Sequence, residues 1–282
     1  MRENLHLAWQ AWRGRRAKEK LGPHVGALLV TTAAGTFAVD PEDRGVGWTL
    51  RRDGEYGREE RERIARRLDA GSRLLVVGAH VGALVVPLSK LCLASVAIEA
   101  NPATFRLLEI SLALSGVTNC RALNLAAGER DGTIPFLASR ANSGGSKRVP
   151  KERRFMYTYD APSTIEVPSR RLDDLLPGES FDVIVMDIEG SEPFALSGMP
   201  RLLASARALV VEFVPHHLRH VSGVTVEEFV SRISPHFSRL TVPSKGLDVG
   251  AGGFRAALQG MFDRDEIDDG VIFEKEGGGR TR

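Results

Sequence analysis

Apolar residues in this chain come in short continuous runs separated by longer stretches of mixed polarity. Strands buried on both faces of a parallel sheet, alternating with helices, give this pattern. Leu74-Leu75-Val76-Val77 is the first such run. Ser95 to Glu99, Arg121 to Asn124, Phe181 to Asp187 and Ala208 to Phe213 are the next four, with late strands expected near Leu240 and at Val271-Ile272-Phe273. After the first run, Gly78-Ala79-His80-Val81-Gly82 predicts a turn and then a helical stretch to about Ala94, which Pro87 should end or kink. Asn101-Pro102 predicts a helix start, a capping side chain followed by proline at the first helical position. Phe105, Leu108, Ile110 and Leu112 supply its apolar positions, and Gly116 ends it. The alternation predicts an α/β fold, an open and mostly parallel sheet with right-handed crossovers.

Ahead of the first run the pattern differs. Residues 1–20 read as a basic helix carrying Trp9 and Trp12, stopped near Gly22-Pro23. Leu28 to Thr32 and Thr36 to Val39 are β-prone and separated by Ala33-Ala34-Gly35, a hairpin signal. Asp40-Pro41-Glu42-Asp43 closes the hairpin. A helix-type pattern follows, with Ile64, Ala65 and Leu68 on one face and Gly71 as its stop. The expected organisation is an N-terminal helix and hairpin extension over residues 1–60, then a main domain over 61–282. Ala141 to Tyr159 is polar and glycine-containing and reads as a surface loop.

Composition narrows the class. At 282 residues, 43% hydrophobic and 26% charged, the chain can bury a sizeable core. Lys and Arg exceed Asp and Glu by only two, so overall charge gives no nucleic-acid signature. The six basic and two acidic residues among positions 1–20 read first as a solvated helix face, with a docking surface for an acidic partner as the alternative. The longest apolar run, Leu74 to Leu88, is interrupted by Gly78, His80, Gly82 and Pro87 and falls short of the roughly 18 residues of a membrane span. No apolar stretch follows Arg2 and Glu3 as a secretion signal would require. Cys92 and Cys120 are too few for a disulfide framework or a cysteine zinc site. The expectation is a cytoplasmic protein with no membrane and no nucleic-acid partner.

Ligands of open α/β sheets bind outside the carboxyl ends of the strands, where the strand order reverses. The unusual residues fall at those ends. Gly78 and Gly82 follow the first strand and let backbone amides approach a ligand. Glu99 closes the second strand, 21 residues after Gly78, about where an acid accepts the ribose hydroxyls of an adenosine cofactor. Asp187 closes the fourth and is followed by Glu189 and Glu192. Glu212 lies near the end of the fifth and is followed by His216 and His217. Nicotinamide dinucleotides call for Gly-x-Gly-x-x-Gly, but His80 occupies the middle glycine position. S-adenosylmethionine has no phosphates and tolerates a looser turn, which favours a methyltransferase over an oxidoreductase.

The same residues resemble the FkbM-type S-adenosylmethionine-dependent methyltransferases over roughly Val25 to Lys275. The resemblance is carried by Phe37-Ala38-Val39-Asp40, Val77 to Gly82, Ile98-Glu99-Ala100-Asn101-Pro102 and Asn124-Leu125-Ala126. Asp131-Gly132, Asn142-Ser143-Gly144-Gly145-Ser146 and Arg171-Leu172-Asp173-Asp174-Leu175 come next in order. Met186-Asp187-Ile188-Glu189-Gly190-Ser191-Glu192 and Val211-Glu212-Phe213 complete it. Val76 and His80 stand where the family usually has an aspartate and an asparagine. The resemblance implies a Rossmann-like methyltransferase sheet and methyl transfer to a hydroxyl of a small molecule such as a sugar or polyketide. The cofactor, S-adenosyl-L-methionine, is expected at Gly78, Ala79, His80, Gly82, Glu99, Asn101, Asn124, Ala126 and Asp187. Asp187, Glu189, Glu212 and His216 are the candidate catalytic residues, one of them the base. A divalent cation on Asp187, Glu189 and Glu212 is the less favoured use of those acids. The rival functions are a non-catalytic descendant that binds cofactor or partner, and a nicotinamide-dependent oxidoreductase.

Overall fold

The computed structural model describes residues 2–275, with side chains from Asn4 onward. The chain begins with helix α1 (Arg2–Leu21), hairpin strands β1 (Leu28–Thr31) and β2 (Thr36–Val39), and helices α2 (Val46–Asp53) and α3 (Arg58–Ala65). There follow β3 (Arg73–Val77), α4 (Val85–Ser89), β4 (Ala94–Glu99), α5 (Pro102–Leu114) and β5 (Cys120–Asn124). Next come β6 (Ala126–Ala127), β7 (Gly132–Ala138), β8 (Lys147–Arg148), β9 (Ser163–Arg170) and α6 (Leu172–Leu175). The remainder holds β10 (Val183–Met186), α7 (Glu192–Ser197), α8 (Pro200–Ser205), β11 (Ala208–Phe213), α9 (Pro215–His217) and α10 (Val226–Ser231). β12 (Arg239–Val242), β13 (Leu247–Gly250), α11 (Phe254–Asp263) and β14 (Asp268–Glu274) complete it.

The central sheet has eight strands in the order β13-β12-β14-β11-β10-β3-β4-β5. The five from β11 to β5 are mutually parallel, and β14, β12 and β13 add an antiparallel flank. The expected mostly parallel α/β sheet is therefore present. From β3 the chain steps outward through β4 and β5, then returns to place β10 and β11 on the other side. The order thus reverses between β3 and β10, the position at which such sheets hold ligands. Buried residues divide between the two faces, with Leu75, Val77 and Ile184 on one and Leu74, Val76 and Val185 on the other. The first 60 residues share the second of these cores, since Phe37, Val39, Val46 and Leu50 pack with Leu74 and Val76. The hairpin is tied to α5 through its backbone: Ser111 and Ser115 hydroxyls accept from the Ala38 and Thr36 amides at 3.0 Å each.

Several elements differ from the sequence expectation. The helix after the glycine turn does not reach Ala94; it spans only Val85–Ser89, and Pro87 is its third residue. Pro87 therefore sits in the first turn, where no intrahelical N–H bond is lost. The chain leaves the helix because Asn119 Nδ2 donates to the carbonyls of Ser89 and Cys92 at 2.8 and 2.9 Å, satisfying groups a longer helix would have used. The helix carrying Ile64 ends at Ala65 rather than Gly71, and Leu68 follows in tight turns. The fourth parallel strand is trimmed at both ends. Asp182 is drawn off its start to accept from the Arg73 amide and the Arg207 side chain. A second sheet, β6-β9-β7-β8, has no counterpart in the sequence reading. It recruits β8 from the segment read as a surface loop, where Lys147 and Tyr157 are buried at 6% and 4% exposure. Among the described residues no helix is long and apolar enough to cross a membrane.

Candidate functional site

A cavity of about 620 Å³ opens at the carboxyl ends of β3, β4, β10 and β11. Its floor is the turn after β3. Gly78 has φ +91°, and its amide and that of Ala79 both donate to the Ile98 carbonyl at 2.9 Å, pressing the turn against the end of β4. A Cβ on Gly78 would overlap the carbonyl oxygen of Asp187, so the turn passes against β10 as closely as a glycine allows. His80 also has positive φ, +50°. Its amide donates to Glu99 at 2.9 Å, and its Nε2 meets Ser143 Oγ at 2.7 Å. Ser143 in turn donates to Asp43 at 2.9 Å, so its oxygen is the acceptor toward His80, and the Nε2 of that imidazole carries the proton.

Gly78, Ala79, His80, Glu99, Ala126, Asp187, Glu189 and Glu212 line this cavity. Gly82, Asn101, Asn124 and His216 do not. A Cβ on Gly82 would instead meet Val86 and Leu108 at 3.0 and 3.1 Å, so that glycine closes the turn against two helices. Asn101 caps α5, accepting from the Ala103 amide at 3.0 Å. The Asn124 amide group donates to the carbonyls of Glu99 and Ala100 at 2.8 and 3.2 Å, holding the strand end from behind.

Glu99 itself staples two turns. One carboxylate oxygen accepts from the His80 amide at 2.9 Å and the other from the Asn101 amide at 2.7 Å. Burial pushes its pKa up to about 7 against the opposing pull of these amides. A carboxylate has about four acceptor positions, so hydroxyl groups of a ligand can still be received. Glu99→Gln keeps the size but turns an amide donor toward a backbone donor. The expected outcome at about pH 8, where the native side chain is ionised, is a loss of about 1–3 kcal/mol in folding stability. Denaturant unfolding measures it, and wild-type stability would show that the staple is not needed.

A second cavity of about 320 Å³ adjoins the first and is lined by Lys147, Tyr157, Tyr159, His216 and His217 among others. The two share Asn142, Glu189, Glu212 and Asp269. At this junction Lys147 Nζ donates to Glu189 at 2.7 Å and approaches His217 Nε2 at 3.3 Å. Lysine has no acceptor to offer, so that contact is a hydrogen bond only with the His217 proton on Nδ1, which lies 3.4 Å from Glu212 but is not aligned as a hydrogen bond. His217 Nε2 also lies 3.2 Å from Glu189. His216, the histidine expected among the acids, turns the other way and pairs its Nδ1 with the Tyr157 hydroxyl at 2.9 Å. Adjacent residues of a helical turn point about 100° apart, so only one of the pair can face the acids. The sequence reading misses Lys147, which lies in a stretch with no periodic signal, and names His217 at the strand end but leaves it out of the candidate catalytic set in favour of His216.

The acids crowd one another. Burial first, and then Glu189, Glu60 and Glu192, raise the Asp187 pKa well above the carboxylate range. Burial followed by Asp187, Glu189 and Glu192 does the same to Glu212, partly opposed by Lys147. Burial also pushes Glu192 up to about 7, although its carboxylate accepts from the Ile188 amide at 2.9 Å. His217 is shifted the other way, downward, by burial and then by Lys147 and His216. Among the described residues, the carboxylate oxygens of Asp187, Glu192 and Glu212 come within 4.8 Å of one another. Glu189, placed in that set by the sequence reading, is held aside by Lys147.

An acid-lined cavity at the switch point of an open, mostly parallel sheet is the architecture of a Rossmann-like α/β protein with a ligand site at the strand ends. Residues 77–233, more than half of the chain, match the family described as the methyltransferase FkbM domain, and the chain belongs to that family. Over 111 residues it is 31% identical to "2-O-methyltransferase NoeI" of Sinorhizobium fredii; the match spans 35% of this chain and 45% of that protein. Among solved structures, a methyltransferase FkbM from Methylobacillus flagellatus aligns with a TM-score of 0.45 at 16% identity, over 73% of this chain and 44% of that one. A 16S rRNA N2 G1207 methyltransferase of T. thermophilus, in complex with AdoMet and guanosine, aligns with a TM-score of 0.44 at 14% identity, over 89% and 50%. The chain thus matches less than half the length of the first two of these proteins.

Proposed function

We propose that the protein is an S-adenosylmethionine-dependent O-methyltransferase whose acceptor is a small molecule bearing a hydroxyl group. The carrying observation is the junction of the two cavities at Glu189 and Glu212. The larger cavity suits the cofactor chemically. Its carboxylates are crowded enough for Asp187 and Glu212 to resist ionisation, and a ligand with a sulfonium and an ammonium group relieves that repulsion. When bound, S-adenosylmethionine would supply an electrophilic methyl group; an acceptor oxygen attacking it forms the O–C bond as the S–C bond breaks, and the neutral thioether leaves.

The roles then divide by position. Gly78, Ala79 and His80 present the turn, Glu99 receives ribose hydroxyls, and Ala126 provides part of the adenine wall. Asp187, which lines only the larger cavity, balances the cofactor's positive charge. Glu212 borders both cavities and takes the hydroxyl proton; its raised pKa makes it a better base near neutral pH than an ordinary carboxylate. Glu189 is committed to Lys147 and His217 and orients the acceptor. His216 lines only the second cavity, where it contacts the acceptor beside Tyr157.

Calorimetry tests the cofactor and mass spectrometry the acceptor. S-adenosylmethionine is expected to bind more tightly as pH rises. Burial and the neighbouring acids favour the protonated form of Asp187 in the free protein, a cation favours its charged form, and binding is therefore expected to release protons. Titrations in two buffers of different ionisation enthalpy should show that release, and candidate alcohols should then gain the mass of a methyl group. Absence of S-adenosylmethionine binding, or tight binding of a nicotinamide dinucleotide in its place, would overturn the reading.

A further inference from the structure

Helix α1 carries large apolar side chains on its outward face while small residues seat its inner face. At 3.6 residues per turn, Leu5, Trp9, Trp12 and Arg16 fall within one wedge of about 60°. That wedge faces outward: Leu5, Trp9 and Trp12 are 66%, 47% and 51% exposed. The opposite side, carrying Ala11 and Gly14, is buried. A Cβ on Gly14 would overlap the Glu42 carbonyl, and Lys18 pairs with Asp40 at 2.9 Å. The helix is thus seated firmly by its small residues while its indoles are left uncovered.

Positive charge surrounds the indoles. The Arg13 guanidinium lies 4.5 Å from the Trp9 ring centre and that of Arg16 5.9 Å from Trp12. Nearby, Arg44 stacks at 3.6 Å on Trp48, with Arg51 and Arg13 at 5.4 and 5.9 Å from the same ring. Burial first, and then Arg13 and Arg51, hold Arg44 below its usual pKa, while Arg16 also pairs with the exposed Glu19 at 3.4 Å.

We infer that this face docks on the surface of an anionic lipid bilayer. An interfacial helix has this make-up: aromatic and aliphatic side chains along one wedge, arginines and lysines at its margins, and no length of hydrocarbon-spanning sequence. A second copy of this chain is disfavoured as the occupant, because it would set one basic surface against another. A nucleic acid would satisfy the arginines but leave Leu5 and Ala8 without an apolar counterpart. A bilayer contact at this face departs from the sequence expectation of no membrane partner and from the first reading of residues 1–20 as a solvated helix face. Leu7, on the inward side of the same helix, lines the smaller cavity, so docking would hold one wall of that cavity at the lipid surface.

Vesicles of phosphatidylcholine alone and of phosphatidylcholine with phosphatidylglycerol in equal parts test this by co-sedimentation with the full chain. The expected result is at least about tenfold stronger association with the anionic vesicles, weakened by salt, together with a blue shift of tryptophan emission. Trp9→Ala with Trp12→Ala, and separately Arg13→Glu with Arg16→Glu, should each reduce association about tenfold or more. Both pairs should keep the wild-type thermal midpoint, since none of these side chains belongs to the core. Lack of binding to anionic vesicles, equal binding to both vesicle types, or undiminished binding by both double variants would overturn the inference. So would variant-sensitive binding to a single-stranded RNA without any to vesicles.

Discussion

Gly78→Ala is expected to abolish S-adenosylmethionine binding and to lower the thermal midpoint in the same protein. The left-handed backbone at φ +91° alone costs an alanine about 1–2 kcal/mol. The added methyl also overlaps the Asp187 carbonyl, so the ends of β3 and β10 must separate at the point where the cavity floor lies. Together these should remove about 3 kcal/mol or more of stability. Gly82→Ala provides the contrast. Its backbone is equally left-handed, but its Cβ would press on the Val86 and Leu108 side chains outside the cavity. It should lose stability with a much smaller effect on binding. Calorimetry beside a thermal melt separates the two variants, and Gly78→Ala binding within about threefold of wild type, under 1 kcal/mol, would refute the assignment.

Glu212→Gln is expected to lower turnover by about 10²–10⁴ while leaving cofactor affinity within a few-fold, the signature of a lost general base. Because burial and the neighbouring acids raise this carboxyl well above its usual range, activity in the wild type should climb with pH as Glu212 ionises. The variant should lose that limb of the profile. His216→Ala, which touches only the smaller cavity, should raise the apparent KM instead. Lys147→Met leaves Glu189 and His217 without their shared cation and should affect both parameters. EDTA in each assay serves as the control. If EDTA alone stops the reaction and Mg²⁺ restores it, the acids serve as metal ligands and the base assignment fails. Full activity in Glu212→Gln on the true acceptor would do the same.

The parallel strands and the acids at their ends were legible in the sequence because both signals are local. A run such as Leu74 to Val77 is apolar at every position only if both faces of the strand are covered, and the residue that follows must then lie at the sheet's edge. Gly78 and Asp187 directly follow such runs, Glu99 ends β4 and Glu212 lies one residue before the end of β11, and all four line the cavity in an order set by chain connectivity. Other features depend on contacts between segments far apart in the chain. The length of α4 is decided by Asn119, 30 residues beyond Ser89, whose side chain takes over the helix-end carbonyls. The strand status of Lys147 and Arg148 exists only because β7 offers an unpaired edge. Tertiary structure also chose between His216 and His217, since the phase of a single helical turn after Val214 follows from how Leu218 and Val221 pack into the core rather than from either histidine. The chain's own order therefore determined where the acids meet the ligand. Packing across the sheet decided which neighbours, Lys147 and His217, tune them, because an ion-pair partner leaves no periodic trace along the sequence.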